Sequence, residues 1–212
     1  MRTTTAFLSA MWVSIFALAA HSAPPKDTGT LFSTSFTKEA QGRIDDAVRP
    51  MLKVIKQDPK HYVAHLRAGW LYYHGNRYDE SVRYYEKAVA LSPKALEPKL
   101  GLMLPLMAAK RWKAAERVGQ QILKVAPHQY TALSRLAYVA FLQGRYTEAE
   151  KRYKMVLENY PSDIEMMLGL AWTYTRQGRK GEARTMFENV LAIRPENGSA
   201  KSGLSTLGNG PS

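Results

Sequence analysis

The sequence predicts an all-α solenoid of stacked helix-turn-helix units, and three observations predict it. Pro59, Pro93, Pro127, Pro161 and Pro195 stand 34 residues apart. Three more series keep that 34-residue register: Leu102, Leu136 and Leu170; Ala115, Ala149 and Ala183; Leu123, Leu157 and Leu191. Within a unit the apolar spacing is helical, as in Leu133, Leu136, Ala137, Ala140 and Phe141, which recur at intervals of three and four. Several series in one register are not coincidence. A fixed period of this length marks units that bury their apolar faces only against their neighbours.

Composition narrows the function classes. Of 212 residues 45% are hydrophobic, too many for intrinsic disorder. The absence of cysteine excludes disulfide staples, thiolate zinc sites, a cysteine nucleophile and an acylated N-terminal cysteine. Thirty Lys and Arg against 18 Asp and Glu give a formal charge of +12, which first suggests a polyanionic partner.

In chain order, residues 1–22 read as a secretory signal peptide. Arg2 is the only charge before Lys26, and between them runs the apolar stretch Ala6–Ala20. As a helix it spans ~22 Å, short of a ~30 Å hydrocarbon core. Ala17-Leu18-Ala19 and Ala20-His21-Ser22 both fit small-x-small cleavage. The chain is therefore expected to be exported, periplasmic or secreted. An uncleaved membrane anchor and a mitochondrial presequence are the alternatives, the second weakened by a single Arg and no amphipathic spacing.

Residues 23–36, rich in Pro, Ser and Thr, are expected to be a disordered leader. Residues 37–61 carry helical spacing through Ile44, Ala47, Met51, Val54 and Ile55, and end at the first proline of the ruler. They read as an N-terminal capping helix, the second half of a worn repeat, kinked or interrupted at Pro50. Four units follow, 62–95, 96–129, 130–163 and 164–197, with helices expected at 62–74 and 78–91, 96–109 and 112–125, 130–143 and 146–159, 164–177 and 180–193. Gly144-Arg145 leaves room only for an antiparallel turn, and Pro161 cannot continue the helix before it. The alanine that opens each second helix lets its partner approach; Ser81 takes that place in the first unit. Residues 198–212, with Ala200, Leu204 and Leu207 on one stripe, read as a C-terminal capping helix and frayed tail.

These residues resemble the tetratricopeptide repeat family, whose unit is a 34-residue helix-turn-helix. In the third unit the resemblance rests on Leu136-Ala137, Gly144-Arg145-Tyr146, Ala149, Tyr153 and Pro161. In the first it rests on Gly69, Tyr72, Tyr78, Tyr85, Ala88 and Pro93; in the fourth on Leu170-Ala171, Tyr174, Gly178, Ala183, Phe187 and Pro195. The resemblance implies a right-handed superhelix with the first helix of each pair on the concave side. The second unit departs from the pattern: Met103 stands for Gly or Ala, Gly119 for Tyr or Phe, and Pro105 falls inside a helix.

No Walker loop, G-x-G-x-x-G, G-x-S-x-G or H-E-x-x-H occurs. His61 and His65 would share a helix face but have no third ligand nearby, so two helix-surface histidines are expected rather than a metal site. Asn197-Gly198-Ser199 is a glycosylation sequon, meaningful only where the source glycosylates exported chains. No catalytic residue, metal or cofactor is expected, and the chain reads as a non-enzyme.

Given a concave first-helix face, its lining falls into series 34 residues apart: Leu66, Leu100, Ser134, Leu168; Trp70, Leu104, Tyr138, Trp172; Tyr73, Met107, Phe141, Thr175. That is an apolar, aromatic channel, and helices apolar beyond their packing stripe usually meet a partner. It is expected to take an amphipathic helix or apolar peptide, with Trp70, Tyr138 and Trp172 as anchors. The alternative is that these residues only pack between repeats or against the caps. A clamp for a peptide's terminal carboxylates is marked down, because only Arg67, Arg135 and Arg176 come near the groove.

The eight repeat helices sum to only +3, while the turns inside the pairs hold Arg77, Lys110, Arg111, Arg145 and Arg179 with no acid. Arg77, Arg111, Arg145 and Arg179 are 34 apart, a ladder along one rim to which Lys113 and Lys180 add. It reads either as ordinary residues facing helix carbonyls or as a rail for an anionic polymer or membrane surface. Nucleic acid fits the charge but not an exported chain. The leading reading is a non-catalytic scaffold or adaptor of a cell-envelope assembly that holds a protein or peptide partner.

Overall fold

The computed structural model describes residues 27–208. The signal peptide expected over 1–22, the start of the leader and the end of the tail lie outside these residues. Among the described residues there are eleven helices and no strand. They form five hairpins: α1 (Thr28–Ala40) with α2 (Ile44–Gln57), α3 (Tyr62–His74) with α4 (Tyr78–Leu91), α5 (Glu97–Ala108) with α6 (Trp112–Val125), α7 (Tyr130–Leu142) with α8 (Tyr146–Leu157), and α9 (Ile164–Arg176) with α10 (Lys180–Ile193). α11 (Gly198–Gly208) closes the stack. No helix among the described residues is long and apolar enough to cross a membrane.

Each helix packs on the next, and from α3 onward each odd helix also reaches the following odd helix. Among the described residues the even helices make no comparable contact with one another. Odd helices therefore form the inner, concave layer and even helices the outer one. The core is a succession of clusters, each shared by neighbouring hairpins, from Ala47, Met51 and Leu71 near one end to Phe187 and Ala200 at the other.

The turns show why the units repeat. Gly42, Asn76, Lys110, Gly144 and Gly178, again 34 apart, all have positive φ, between 56° and 76°. This left-handed residue ends each first helix and reverses the chain. Four positions on from the turn arginine, Ser81, Ala115, Ala149 and Ala183 are fully buried, as is Ala47 one unit earlier. The Ser81 hydroxyl donates to the Gly69 carbonyl at 2.6 Å, which satisfies the one polar group at this contact.

Two expectations are corrected. Residues 28–36 are not a leader: they are helical, and with Gly42 and α2 they complete a fifth hairpin rather than leave a lone capping helix. Ser and Thr content misled, because their hydroxyls bond within the fold. Thr34 and Thr37 donate to carbonyls four residues back at 2.8 and 3.0 Å, and buried Ser35 donates to the Ala47 carbonyl at 2.8 Å. Nor does Pro50 divide its helix; α2 runs through it, as α5 runs through Pro105. The missing hydrogen bond costs ~3 kcal/mol, and burial of Val48, Met51 and Val54 on one side of α2 outweighs it.

The joints between hairpins follow a rule with exceptions. Tyr85, Tyr153 and Phe187, all buried, pack their rings against Gly101, Gly169 and Gly203 on the next hairpin's first helix or on α11. A Cβ added at any of these glycines would lie closer than 3.0 Å to the ring. At α6–α7 the same register holds Gly119 and Arg135, so there is neither ring nor glycine; Leu136 packs against the Gly119 backbone instead. At α2–α3 it holds Met51 and Arg67. Both exceptions place an arginine on the inner layer.

Candidate functional site: the concave groove

Three adjoining concavities run along the inner layer. The first, about 550 Å³, is walled by Phe32, Phe36, Val63, Leu66, Trp70, Leu100 and Leu104, with Arg67, Arg135 and Glu97 at its edges. The second, about 600 Å³, is walled by Tyr73, Leu104, Met107, Trp112, Tyr138 and Leu142. The third, about 460 Å³, is walled by Ser134, Tyr138, Phe141, Leu168 and Trp172. Leu104 is common to the first two and Tyr138 to the last two, so they form one channel.

The groove residues named from the sequence line these concavities, Thr175 excepted, but not equally. Trp70 and Tyr138 are 40% and 48% exposed, as anchors must be. Leu66, Tyr73, Leu104, Met107, Phe141 and Trp172 are half-buried. Leu168 is a floor residue, 7% exposed and part of the core. Trp172 is shared between the two readings of its sequence. Its ring packs edge-on against Phe187 at 5.2 Å, and its indole N–H donates to Ser199 Oγ at 3.0 Å, which ties it to α11. The Trp70 indole likewise donates to Glu39 Oε1 at 2.8 Å.

Sequence reasoning missed the α1 wall. Phe32 and Phe36 extend the groove by one hairpin, and their spacing with Ser35 and Glu39 was a signal hidden by Ser/Thr content. It placed Arg67 and Arg135 near the groove but not at the irregular joints. Arg67 is buried; its Nε donates to Ser35 Oγ at 2.8 Å, its Nη2 to Glu39 Oε2 at 2.9 Å, and its guanidinium lies 3.6 Å from the Phe36 ring centroid. Arg135 donates to the Leu100 carbonyl. Burial pulls its pKa below the ordinary arginine range, against the opposing influence of Tyr73 and Tyr85.

The rim arginines are in place but occupied. Arg77 pairs with Asp45 and Glu80, at 3.5 and 2.5 Å. Arg111 pairs with Asp79, Arg145 with Glu116 and Glu148, and Arg179 with Glu150 and Glu182. Each thus reaches back to the previous hairpin, and three also reach the acid three residues on. Counting charge turn by turn missed this, because the acids lie in the adjoining helices. Hydrogen bonding to Arg77 and Arg179 holds Glu80 and Glu182 below the usual carboxylate range. Because the folded pKa values are depressed, these pairs lose their contribution as pH falls through the carboxylate range. Lys110 and Lys180 stand beside the ladder, and around α6 the surface formed by Lys110, Arg111, Trp112, Lys113 and Arg117 is lined by no acid.

The histidines are structural. His61 Nδ1 accepts from the Ala64 N–H at 3.2 Å and caps α3. His65, expected at the surface, is buried, with Nε2 2.9 Å from the Pro59 carbonyl. In the sequon, Asn197 Oδ1 accepts from the Ala200 N–H at 2.9 Å at the start of α11.

No curated protein matches the chain in sequence. Solved structures resemble it in fold. A tetratricopeptide repeat protein from Parabacteroides merdae superposes with a TM-score of 0.78 at 16% identity, over 86% of this chain and 73% of that one. Residues 41 to the end of MamA from Desulfovibrio magneticus give 0.76 at 15% identity, over 83% and 99%. YrrB, described as a tetratricopeptide repeat protein with an unusual peptide-binding site, gives 0.69 at 18% identity, over 82% and 90%. Two tetratricopeptide repeat sequence models match residues 37–95 and 128–196, together more than half of the chain. The stretch between them is the irregular α5–α6 hairpin. With that fold and those matches, the chain belongs to the tetratricopeptide repeat family.

Proposed function

We propose that this chain is a non-catalytic scaffold of the cell envelope that binds a partner peptide or helix in its concave groove. Tetratricopeptide repeats serve in general as protein-interaction scaffolds rather than catalysts, and YrrB is described as having a peptide-binding site. The observation that carries the reading here is the continuous apolar channel with Trp70 and Tyr138 presented to solvent. Aromatic side chains that expose large, stiff apolar area are the usual centres of binding energy. Trp70→Ala with Trp172→Ala should weaken peptides selected on the full chain by at least tenfold, measured by fluorescence anisotropy. Binding that survives both substitutions unchanged would sink the groove. Export rests on residues 1–22, and a fusion of residues 1–26 to alkaline phosphatase should acquire activity outside the cytoplasm; an inactive fusion removes the envelope from the proposal.

A second reading, an anionic polymer or membrane surface on the basic rim, contracts to one place. The four arginines already hold carboxylates, whereas Lys110, Lys113 and Arg117 line, with Trp112, a shallow concavity that has no acid in its wall. Phosphatidylglycerol vesicles that sediment the chain at low salt, and lose it on neutralising those three residues, would support this reading.

A further inference from the structure

The charged groups at the edge of the first concavity already have partners within the chain. Arg67 donates to Ser35 Oγ and Glu39 Oε2, and the Trp70 indole donates to Glu39 Oε1. Arg135 donates to the Leu100 carbonyl, and Glu97 accepts from the Tyr62 hydroxyl at 3.2 Å. What stays open to an occupant is the apolar wall, where Phe36, Val63 and Trp70 are all exposed. Such a wall suits an uncharged apolar segment, because a charge brought against it would lose hydration.

The chain carries one such segment. No charge stands between Arg2 and Lys26, and Ala6–Ala20 is apolar apart from Ser9 and Ser14. The segment is attached beside the same concavity. Asp27, at the start of α1, accepts from Gln57 Nε2 at 3.3 Å, and Phe32 of the wall follows Thr28 by four residues, ~6 Å along the helix. Residues 21–26 can reach up to ~20 Å. As a helix residues 6–20 span ~22 Å. Helices packed ~10 Å apart put α1 and α5, which flank the concavity, at a similar separation. We propose that in the uncleaved chain residues 6–20 lie in the first concavity, so that the groove is closed by its own N-terminal segment and opened by that segment's removal. This rests on the groove reading above and adds its regulation. A segment on so short a tether competes at an effective concentration of ~1 mM and holds off weaker free peptides. Hydrolysis of the peptide bond after Ala19 or Ser22 would sever the tether and end that advantage.

The test uses the full chain, made by cell-free synthesis so that its N-terminus stays intact. The photo-cross-linker p-benzoylphenylalanine replaces Val63 in the groove wall or, as a control, exposed Val125 on α6 of the outer layer. Irradiated monomer should carry a link from position 63 to residues 6–20, read by mass spectrometry, and none from position 125. A link found only between two chains would assign the segment to a second copy, and no link would leave it outside the groove; either result overturns the proposal. A fluorescent synthetic copy of residues 6–20 gives a second readout. It should bind the Trp12→Lys/Phe16→Lys chain about tenfold or more tightly than the unaltered chain, because two charges drive the tethered segment off the apolar wall. Equal affinities for the two chains, still lost on Trp70→Ala/Trp172→Ala, would overturn this inference and leave the groove standing. Peptide binding that ignores the double tryptophan substitution would remove the groove and this inference together.

Discussion

The joint between α8 and α9 and the joint between α6 and α7 occupy the same place in the repeat and are built oppositely. At the first, Tyr153 drives its ring onto the bare backbone of Gly169. At the second, Gly119 stands where the ring would be, and Arg135 where the glycine would be. Large and small have not merely been exchanged. A ring buried between hairpins is a spine element that gives the inner face only uncharged floor, whereas an arginine on the inner helix projects a charge toward the groove. The regular joints hold the solenoid together, and the irregular ones furnish its concave surface. A repeat that abandons its own rule is therefore where function is to be sought.

The largest effect that tests this comparison is loss of a spine ring. Tyr153→Ala removes a side chain only 4% exposed and should cost about 3–5 kcal/mol, read from the midpoint of urea unfolding. Because hairpins contact only neighbours, the loss should uncouple α7–α8 from α9–α10 before the rest of the stack melts. A cost below about 1 kcal/mol would show that the rings are not the spine.

A sharper test rebuilds the irregular joint as a regular one. Gly119→Tyr alone drives a ring into Leu136, which already packs on the Gly119 backbone, and should destabilise through overpacking by about 1–3 kcal/mol. Arg135→Gly alone removes side-chain contacts and loosens α7, at a cost of about 1 kcal/mol or more. The double variant should be more stable than the sum of the two by about 1–2 kcal/mol, since the new ring finds the new glycine. Additive losses would mean that the two positions do not form one joint.

Much of this was legible in the sequence because a 34-residue ruler repeats its own instructions. The prolines, the small residue opposite each partner helix and the aromatic channel all recur, so each position is read several times. What the ruler did not show is what occurs once. Ser35 and Thr34 look like a leader until their hydroxyls are seen to bond to carbonyls of α2 and α1. The rim arginines look free until Asp45, Asp79, Glu116 and Glu150 arrive from the previous hairpin. Those partners lie about thirty residues back, beyond any local count of charge. Arg135 was visible as a basic residue near the groove. Its singularity appears only beside Arg67, whose carboxylate comes from a helix that composition had concealed.

The smallest effect concerns the turn of the same irregular unit. At the left-handed position the other hairpins use Gly42, Asn76, Gly144 and Gly178, but α5–α6 uses Lys110, at φ 56°. A side chain with a Cβ costs about 1–2 kcal/mol in this conformation, and Asn tolerates it better than Lys. Glycine would relieve that strain but return about 0.4–1 kcal/mol to the unfolded chain as entropy. Lys110→Gly should therefore stabilise the protein by about 0.5–1 kcal/mol, while Asn76→Gly should change it less. A destabilised Lys110→Gly would mean that the lysine side chain holds the turn through contacts of its own. A stabilised variant with weaker vesicle sedimentation would show a strained residue kept for its charge, the same exchange of regular packing for surface chemistry that Arg135 makes at the joint.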